Sequence, residues 1–211
     1  AWRIFFRNRD LRPIQEAAIP PILHGESILV CSPTASGKTE ACFAPLYQRH
    51  VSFDRRRLSV VYIAPTKALV NDMLGRLLEY FGHASEDAIK RYTGDRHEFA
   101  SADGAFVLLC SPEALDSLQL TRPHLFSGVR AVIIDELHFL HGTARGQQAR
   151  AVVRRLQHGA ARPNDPRDVF QRVGLTATLG NPERVAQLWL GDQGRAVCVG
   201  GARDIELKYL D

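Results

Sequence analysis

Short, unbroken apolar runs alternate along this chain with stretches of helical period. The runs at 27–31 (SILVC), 58–64 (LSVVYIA), 89–93, 106–110, 130–134 (RAVII), 169–175 and 196–199 read as strands. Helical patterns cover 13–24, 38–50, 66–81, 112 to about 120, 145 to about 157 and 182–190. Pro13 near the first turn and Gly25 past the last bound the first of these, with Pro20 and Pro21 expected to bend it; Gly82 stops the third. Residues 2–9 mix aromatic and basic side chains, and 94–103 and 159–168 are polar connections. Arg55-Arg56-Arg57 reads as a solvated turn and 203–211 as an extended exit segment. The strands are apolar throughout rather than at every second position. That pattern predicts an α/β fold, a mostly parallel sheet with helices on both faces. Ligands of such sheets bind beyond the carboxyl ends of the strands, so the residues that follow strands carry the functional information.

Composition changes this picture only slightly. A chain of 211 residues, 45% hydrophobic and 24% charged, suits one globular domain with a sizeable core. No apolar run has the length needed to cross a bilayer, and the opening AWRIFFRNRD lacks the form of a secretory leader. The expected setting is cytoplasmic, with no membrane partner. Cys31, Cys42, Cys110 and Cys198 stand singly and are expected as buried thiols, not as disulfides or zinc ligands. A net charge of +4, with an isoelectric point near 9.0, hints at a polyanionic partner.

The chemistry starts where the first strand ends. Ser32-Pro33-Thr34-Ala35-Ser36-Gly37-Lys38-Thr39 joins that strand to a helix, and a small-residue turn closing on Gly-Lys-Thr suits a polyphosphate. The turn aims successive backbone N–H groups at one anion and the helix adds its positive N-terminal end. Lys38 brings charge to the β- and γ-phosphates, and the Thr39 hydroxyl is placed for Mg²⁺. Ser32 departs from the glycine that opens the general pattern, and Ala35 sits where glycine is common. An ordinary strand–turn–helix corner is the competing reading. Asp135-Glu136, directly after the strand 130–134, weighs against it. An acidic residue there can hold Mg²⁺, usually through water, and a second carboxylate can polarise the water that attacks a γ-phosphate. Such pairs also serve as plain helix N-terminal charges, but the pair and the Gly-Lys-Thr turn in one parallel sheet point to a nucleotide.

Further motifs accompany these: Arg12-Pro13-Ile14-Gln15, Ala64-Pro65-Thr66-Lys67-Ala68-Leu69, Thr93-Gly94-Asp95, Ser111-Pro112-Glu113-Ala114-Leu115, Asp135-Glu136-Leu137-His138 and Thr176-Ala177-Thr178. In this order, over nearly the whole chain, the set resembles the motifs of superfamily 2 DEAD/DEAH-box helicases, in particular their N-terminal RecA-like P-loop NTPase domain. Thr93-Gly94-Asp95, the stretch 135–148 (DELHFLHGTARGQQ) and the stretch 173–191 (VGLTATLGNPERVAQLWLG) look most like the Lhr-type (large helicase-related) branch.

The resemblance implies a role for each motif. ATP and Mg²⁺ are the implied cofactors. Pro33, Thr34, Ala35, Ser36, Gly37, Lys38 and Thr39 would surround the phosphates, Gln15 would meet the adenine edge with an amide that both donates and accepts, and Arg12 would support it. Lys38, Asp135, Glu136 and His138 form the implied catalytic set, with Thr39 and Asp135 as metal contacts. His138 would link the nucleotide to Thr176, Ala177 and Thr178, which relay its phosphate state. A metal site of His138 and His141 lacks a third ligand and is not expected. Pro65, Thr66, Lys67, Gly94, Arg96, Ser111 and Pro112 would meet nucleic acid through helix N-termini and hydroxyls without reading bases, DNA favoured over RNA. Lys67, Arg96 and Arg145 would supply salt-dependent charge, while Asp95 suits a turn.

Residues 1–202 are expected to form this domain, with 203–211 leading to a second RecA-like domain that supplies an arginine finger. The expected function is ATP-driven movement along a nucleic-acid strand by the full-length protein, the isolated domain being weakly active or inactive. The competing reading is a solitary RecA-like module that binds nucleic acid or protein without significant turnover.

Overall fold

In a computed structural model of the chain, residues 1–7, 9–50, 58–81, 88–94, 96–97, 105–160, 170–177 and 179–200 are described. The expectations for Arg55-Arg56-Arg57, Gly82, Asp95, Thr178 and 203–211 lie outside them. Among the described residues, β1 (Ile28–Cys31), β2 (Val60–Ile63), β3 (Ile89–Thr93), β4 (Arg96–His97), β5 (Val107–Cys110), β6 (Ala131–Ile134), β7 (Gln171–Thr176) and β8 (Arg195–Cys198) form one sheet. Its order is β4-β3-β5-β2-β6-β7-β1-β8. Every neighbouring pair is parallel except β3–β4. The helices are α1 (Trp2–Phe6), α2 (Pro13–His24), α3 (Lys38–His50), α4 (Lys67–Phe81), α5 (Pro112–Thr121), α6 (Ala144–Ala160) and α7 (Pro182–Leu190).

Side chains alternate across a strand, so a strand that is apolar throughout feeds two cores. Ile28 and Val30, Val60 and Tyr62, and Ala131 and Ile133 share one core with Ile14, Phe43, Val70 and Met73 of α2–α4. Leu29 and Cys31, Val61 and Ile63, and Val132 and Ile134 share the other with Leu115, Val152, Leu156 and Trp189 of α5–α7. Full burial of each large aliphatic side chain favours folding by about 1.5–3 kcal/mol. The ladders continue past the strands into the functional segments. Ser32 N–H donates to Thr176 O (3.2 Å) and Asp135 N–H to Ile63 O (2.8 Å), so the sheet itself holds the first residue of each.

Several elements differ from the pattern reading, each for a tertiary reason. No element was expected at 2–9, yet α1 forms there because Phe5 buries among Tyr47, Tyr80 and Phe81, with ring centroids 6.3, 5.2 and 5.4 Å away. α2 runs on through Pro20 and Pro21, its face of Ile14, Ala18, Ile19 and Ile22 packed into the core. The polar stretch after Gly94 contains β4, which closes antiparallel onto β3. Cys31, Cys42 and Cys110 are buried as expected, but Cys198 is exposed, because β8 is an outer strand with β1 as its neighbour. No helix among the described residues is long and apolar enough to cross a membrane.

His50 ends α3 at 6% exposure, and its Nε2 has no hydrogen-bond partner among the described residues. Burial, with repulsion from Arg49 and Arg130, lowers its pKa from 6.5 to about 4. Between those values the unfolded chain takes up a proton that the folded chain refuses, so stability is present above the upper value and lost as pH falls through the window. The full loss is about 3 kcal/mol. Urea unfolding at about pH 7 and about pH 5 should show a drop in stability that His50→Leu reduces. Equal drops in the two proteins would remove His50 as its source.

Candidate nucleotide site and nucleic-acid face

The carboxyl ends of β6, β7 and β1 are neighbours and lead into Asp135, Ala177 and the loop 32–37. Two loop residues take left-handed φ values, Ala35 at 58° and Gly37 at 94°. Ala35 stands where the sequence pattern favours glycine, and its Cβ makes that conformation cost about 1–2 kcal/mol. At Gly37 a Cβ would also lie 2.3 Å from Gln15 Nε2. Ser32 Oγ and Ser36 Oγ share a 2.6 Å hydrogen bond across the loop. Lys38 turns back onto the loop and donates from Nζ to Ser32 O (2.6 Å) and Pro33 O (2.8 Å). Burial lowers its pKa, while the charges of Glu136 and Asp135 act the other way.

α2 braces the loop from beneath. Gln15 occupies the third helical position, and its Oε1 closes on the backbone N–H of Arg12, the N-cap residue, at 2.9 Å. Its Nε2 donates to Gly37 O (3.3 Å), and Arg12 Nη1 donates to Ala35 O (2.5 Å). At the end of β6, both oxygens of the buried Asp135 are engaged: Oδ2 accepts the Tyr62 hydroxyl, and Oδ1 accepts Glu136 N–H at 2.8 Å. Burial raises the Asp135 pKa above the ordinary carboxylate value, against these two donors. Burial and then the Asp135 charge raise the Tyr62 pKa, which keeps the phenol protonated. Glu136 has a left-handed φ of 45°. Its Oε2 lies 3.3 Å from His138 Nδ1, and the same nitrogen lies 3.4 Å from Thr176 Oγ1. His141 instead accepts Trp189 Nε1–H at 3.3 Å, which ties it to α7.

Residues 34–39, Asp135 and Glu136 line a cavity of about 330 Å³, walled also by Tyr62 and by Leu69, Asp72, Met73 and Arg76 of α4. A second cavity of about 170 Å³ shares Ala35, Gly37 and Arg76 with it and continues past Gln15 to Phe5, Phe6 and Tyr80.

The ends of β3, β5 and β2 form the other half of the same edge. Thr66 Oγ1 accepts Leu69 N–H at the start of α4, and Ser111 Oγ accepts Ala114 N–H at the start of α5, both at 3.3 Å. Pro112 fills the first helical position of α5. The Lys67 ammonium lies beside Gly94, where a Cβ would be 3.8 Å away, and Arg96 opens β4. Arg145 does not offer the open charge expected of it. It grips both Glu113 oxygens (2.6 and 3.1 Å) and donates to Pro65 O (2.8 Å), a fork that ties α6 to the ends of β2 and β5.

The sequence profile of the DEAD/DEAH box helicases matches residues 12–185. The chain belongs to that family. It is 30% identical to the ATP-dependent helicase Lhr-Core of Sulfolobus acidocaldarius over 201 residues, 86% of this chain and 22% of that protein. It is 36% identical to the ATP-dependent DNA helicase Hel308 of Caldivirga maquilingensis over 186 residues, 86% of this chain and 23% of that protein. Among solved structures, Mycobacterium smegmatis helicase Lhr bound to ssDNA and AMP-PNP matches with a TM-score of 0.77 at 30% identity, over 90% of this chain and 26% of that one. The expected fold, a RecA-like helicase domain, and the likeness to Lhr proteins both hold. The chain spans about a quarter of the length of these relatives.

Sequence reasoning missed the α4 wall of this helicase domain, although residues 69, 72, 73 and 76 form one helical stripe. It also passed over Glu40, beside Thr39, which accepts the Tyr80 hydroxyl and pairs with Arg76 at 3.4 Å. Gly37→Ala should destabilise the domain by about 1–3 kcal/mol in urea unfolding, because a Cβ strains the backbone and displaces Gln15 from Gly37 O. Gly75→Ala, within α4 and with nothing within 4 Å of the added Cβ, should be neutral or stabilising. The same outcome at both positions would show that loop geometry is not what requires Gly37.

Proposed function

We propose that this domain is the ATP-binding motor of a cytoplasmic, ATP-dependent nucleic-acid helicase or translocase, with DNA favoured over RNA. The observation that carries the reading is the convergence of Lys38, Thr39, Asp135 and Glu136 on one cavity, on the same sheet edge as the β3, β5 and β2 ends. The DNA preference draws support from Hel308, named as a DNA helicase, and from the Lhr structure with ssDNA.

ATP is the substrate in this reading. Its phosphates follow residues 33–39, where loop N–H groups and the α3 N-terminus supply positive potential. Lys38 exchanges the carbonyls of Ser32 and Pro33 for β- and γ-phosphate oxygens. Gln15, supported by Arg12, keeps a second lone pair on Oε1 and a second hydrogen on Nε2 for the adenine edge. Thr39, Asp135 and Glu136 bring hard oxygen donors to the cavity, whose lining includes no imidazole or thiolate among the described residues, and that donor set fits Mg²⁺. Thr39 and Asp135 would hold the ion, which when bound neutralises charge on the β- and γ-oxygens.

Glu136 polarises the attacking water and takes its proton. His138, within reach of Glu136 and Thr176 through one nitrogen, passes the change of phosphate state to Thr176, Ala177 and Thr178. Pro65, Thr66, Lys67, Gly94, Arg96, Ser111 and Pro112 form the track for the nucleic-acid backbone. In the full-length protein a second RecA-like domain, for which the much longer relatives leave room, closes the cleft with an arginine.

In the full-length protein, Lys38→Ala should weaken nucleotide binding and abolish turnover. Glu136→Gln should keep nucleotide while turnover falls about 100-fold or more. Wild-type turnover in Glu136→Gln would end its assignment as general base. The isolated domain should bind ATP weakly and hydrolyse it slowly, with little response to single-stranded DNA. Robust DNA-stimulated turnover by the domain alone would remove the need for a second domain, and stronger stimulation of the full-length protein by RNA would reverse the substrate preference.

A further inference from the structure

Asp135 stands just past the end of a strand, where side chains ordinarily gain freedom, yet both of its oxygens are held. One of the two donors comes from a different strand. Tyr62 of β2 is paired in register with Ile133 of β6, and Ile63 with Ile134. The ladder runs one step further, through Asp135 N–H to Ile63 O. Residues two apart share a face, so Tyr62, Ile133 and Asp135 all face the α3–α4 side, with Asp135 about 6.6 Å along the strands from the partner of Tyr62. A phenol ring laid along the sheet bridges that step; an aliphatic side chain does not. The hydroxyl donates to Asp135 Oδ2, while Glu136 N–H holds Oδ1.

The ring is fully buried, with its centroid 5.8 Å from that of Phe43. Phenylalanine would fill the same space without burying a hydroxyl, which is costly unless paired. What the hydroxyl adds is direction. It fixes the rotation of a carboxylate that lines the cavity beside Thr39 and Lys38.

We propose that Tyr62 is a positioning residue: its hydroxyl pre-orients the Asp135 carboxylate so that the Mg²⁺–nucleotide complex binds without that group first having to be ordered. The inference rests on the ATP and Mg²⁺ reading given above. The test titrates the full-length protein and its Tyr62→Phe variant with a fluorescent ATP analogue, in Mg²⁺ and in EDTA, with thermal melts to verify folding. Tyr62→Phe keeps the ring and its contact with Phe43. Its affinity in EDTA should be unchanged, and its affinity in Mg²⁺ should fall about tenfold, the scale on which groups that orient a metal ligand act. In an Asp135→Asn background, Tyr62→Phe should change neither. An unchanged Mg²⁺ dependence, or equal losses with and without Mg²⁺, overturns the proposal and leaves the ATP reading standing. A wild-type protein whose nucleotide affinity ignores Mg²⁺ overturns the metal assignment in that reading and this proposal together.

Discussion

A parallel sheet covered on both faces meets water at its strand ends and outer strands alone. Between them, backbone groups are satisfied by neighbouring strands and most side chains enter one of two apolar cores. The polar groups that converge on one cavity lie where the strands stop. Because β3, β5, β2, β6, β7, β1 and β8 run the same way, their carboxyl ends make one edge, and α3, α4 and α5 start there, after β1, β2 and β5. Helix N-termini carry unpaired N–H groups and the positive end of the dipole, so one arrangement of strands makes a long edge suited to anions. The two ligands of the proposed function, a nucleotide and a nucleic-acid backbone, both bear phosphates and would ask of this edge the same physics twice.

Local caps and longer clasps both hold the polar groups of this edge. At β5 and β2, Ser111 and Thr66 each close the first turn of their own helix, and Arg145 reaches across from α6 to Glu113 and Pro65. At β6, β7 and β1 the contacts cross between elements: Lys38 to the loop carbonyls, Gln15 to Gly37, Tyr62 to Asp135, His138 between Glu136 and Thr176. Burial opposes the charge on both Lys38 and Asp135, and each finds compensation in fixed partners and in the opposite charge across the cavity. Asp135, held at both oxygens, is ordered in advance, whereas Lys38 has its carbonyl contacts to exchange.

The sheet and the strand-end residues were legible because both follow from local pattern. A run such as Leu58–Ala64 has no polar face, so it can lie only between two layers of helices. Asp135 and the Gly-Lys-Thr turn could then be placed without knowing any contact. What escaped the pattern depends on partners remote in sequence. α1 exists because Phe5 finds rings from α3 and α4, and Cys198 is exposed because β8 lies outermost. Arg145 is a basic surface residue by sequence and a clasp on Glu113 and Pro65 in the fold. Tyr62 carried a readable signal, the one side-chain polar atom in Val60–Ile63, but its meaning needed the register that brings Asp135 within reach. Ala35 is the reverse case, an apparent defect in the loop motif that the backbone accommodates at a left-handed φ.

α4 joins the two halves. Its first turn is capped by Thr66 beside Lys67 and Gly94, and its next turns present Leu69, Asp72, Met73 and Arg76 to the cavity at Lys38 and Asp135. Arg76 then reaches Glu40, the residue after Thr39. A helix is stiff along its axis, and the interior around Val70, Met73 and Leu77 is close-packed, so α4 has little room to deform between the two halves. The sheet places both groups of strand-end residues on one edge, and α4 touches each of them.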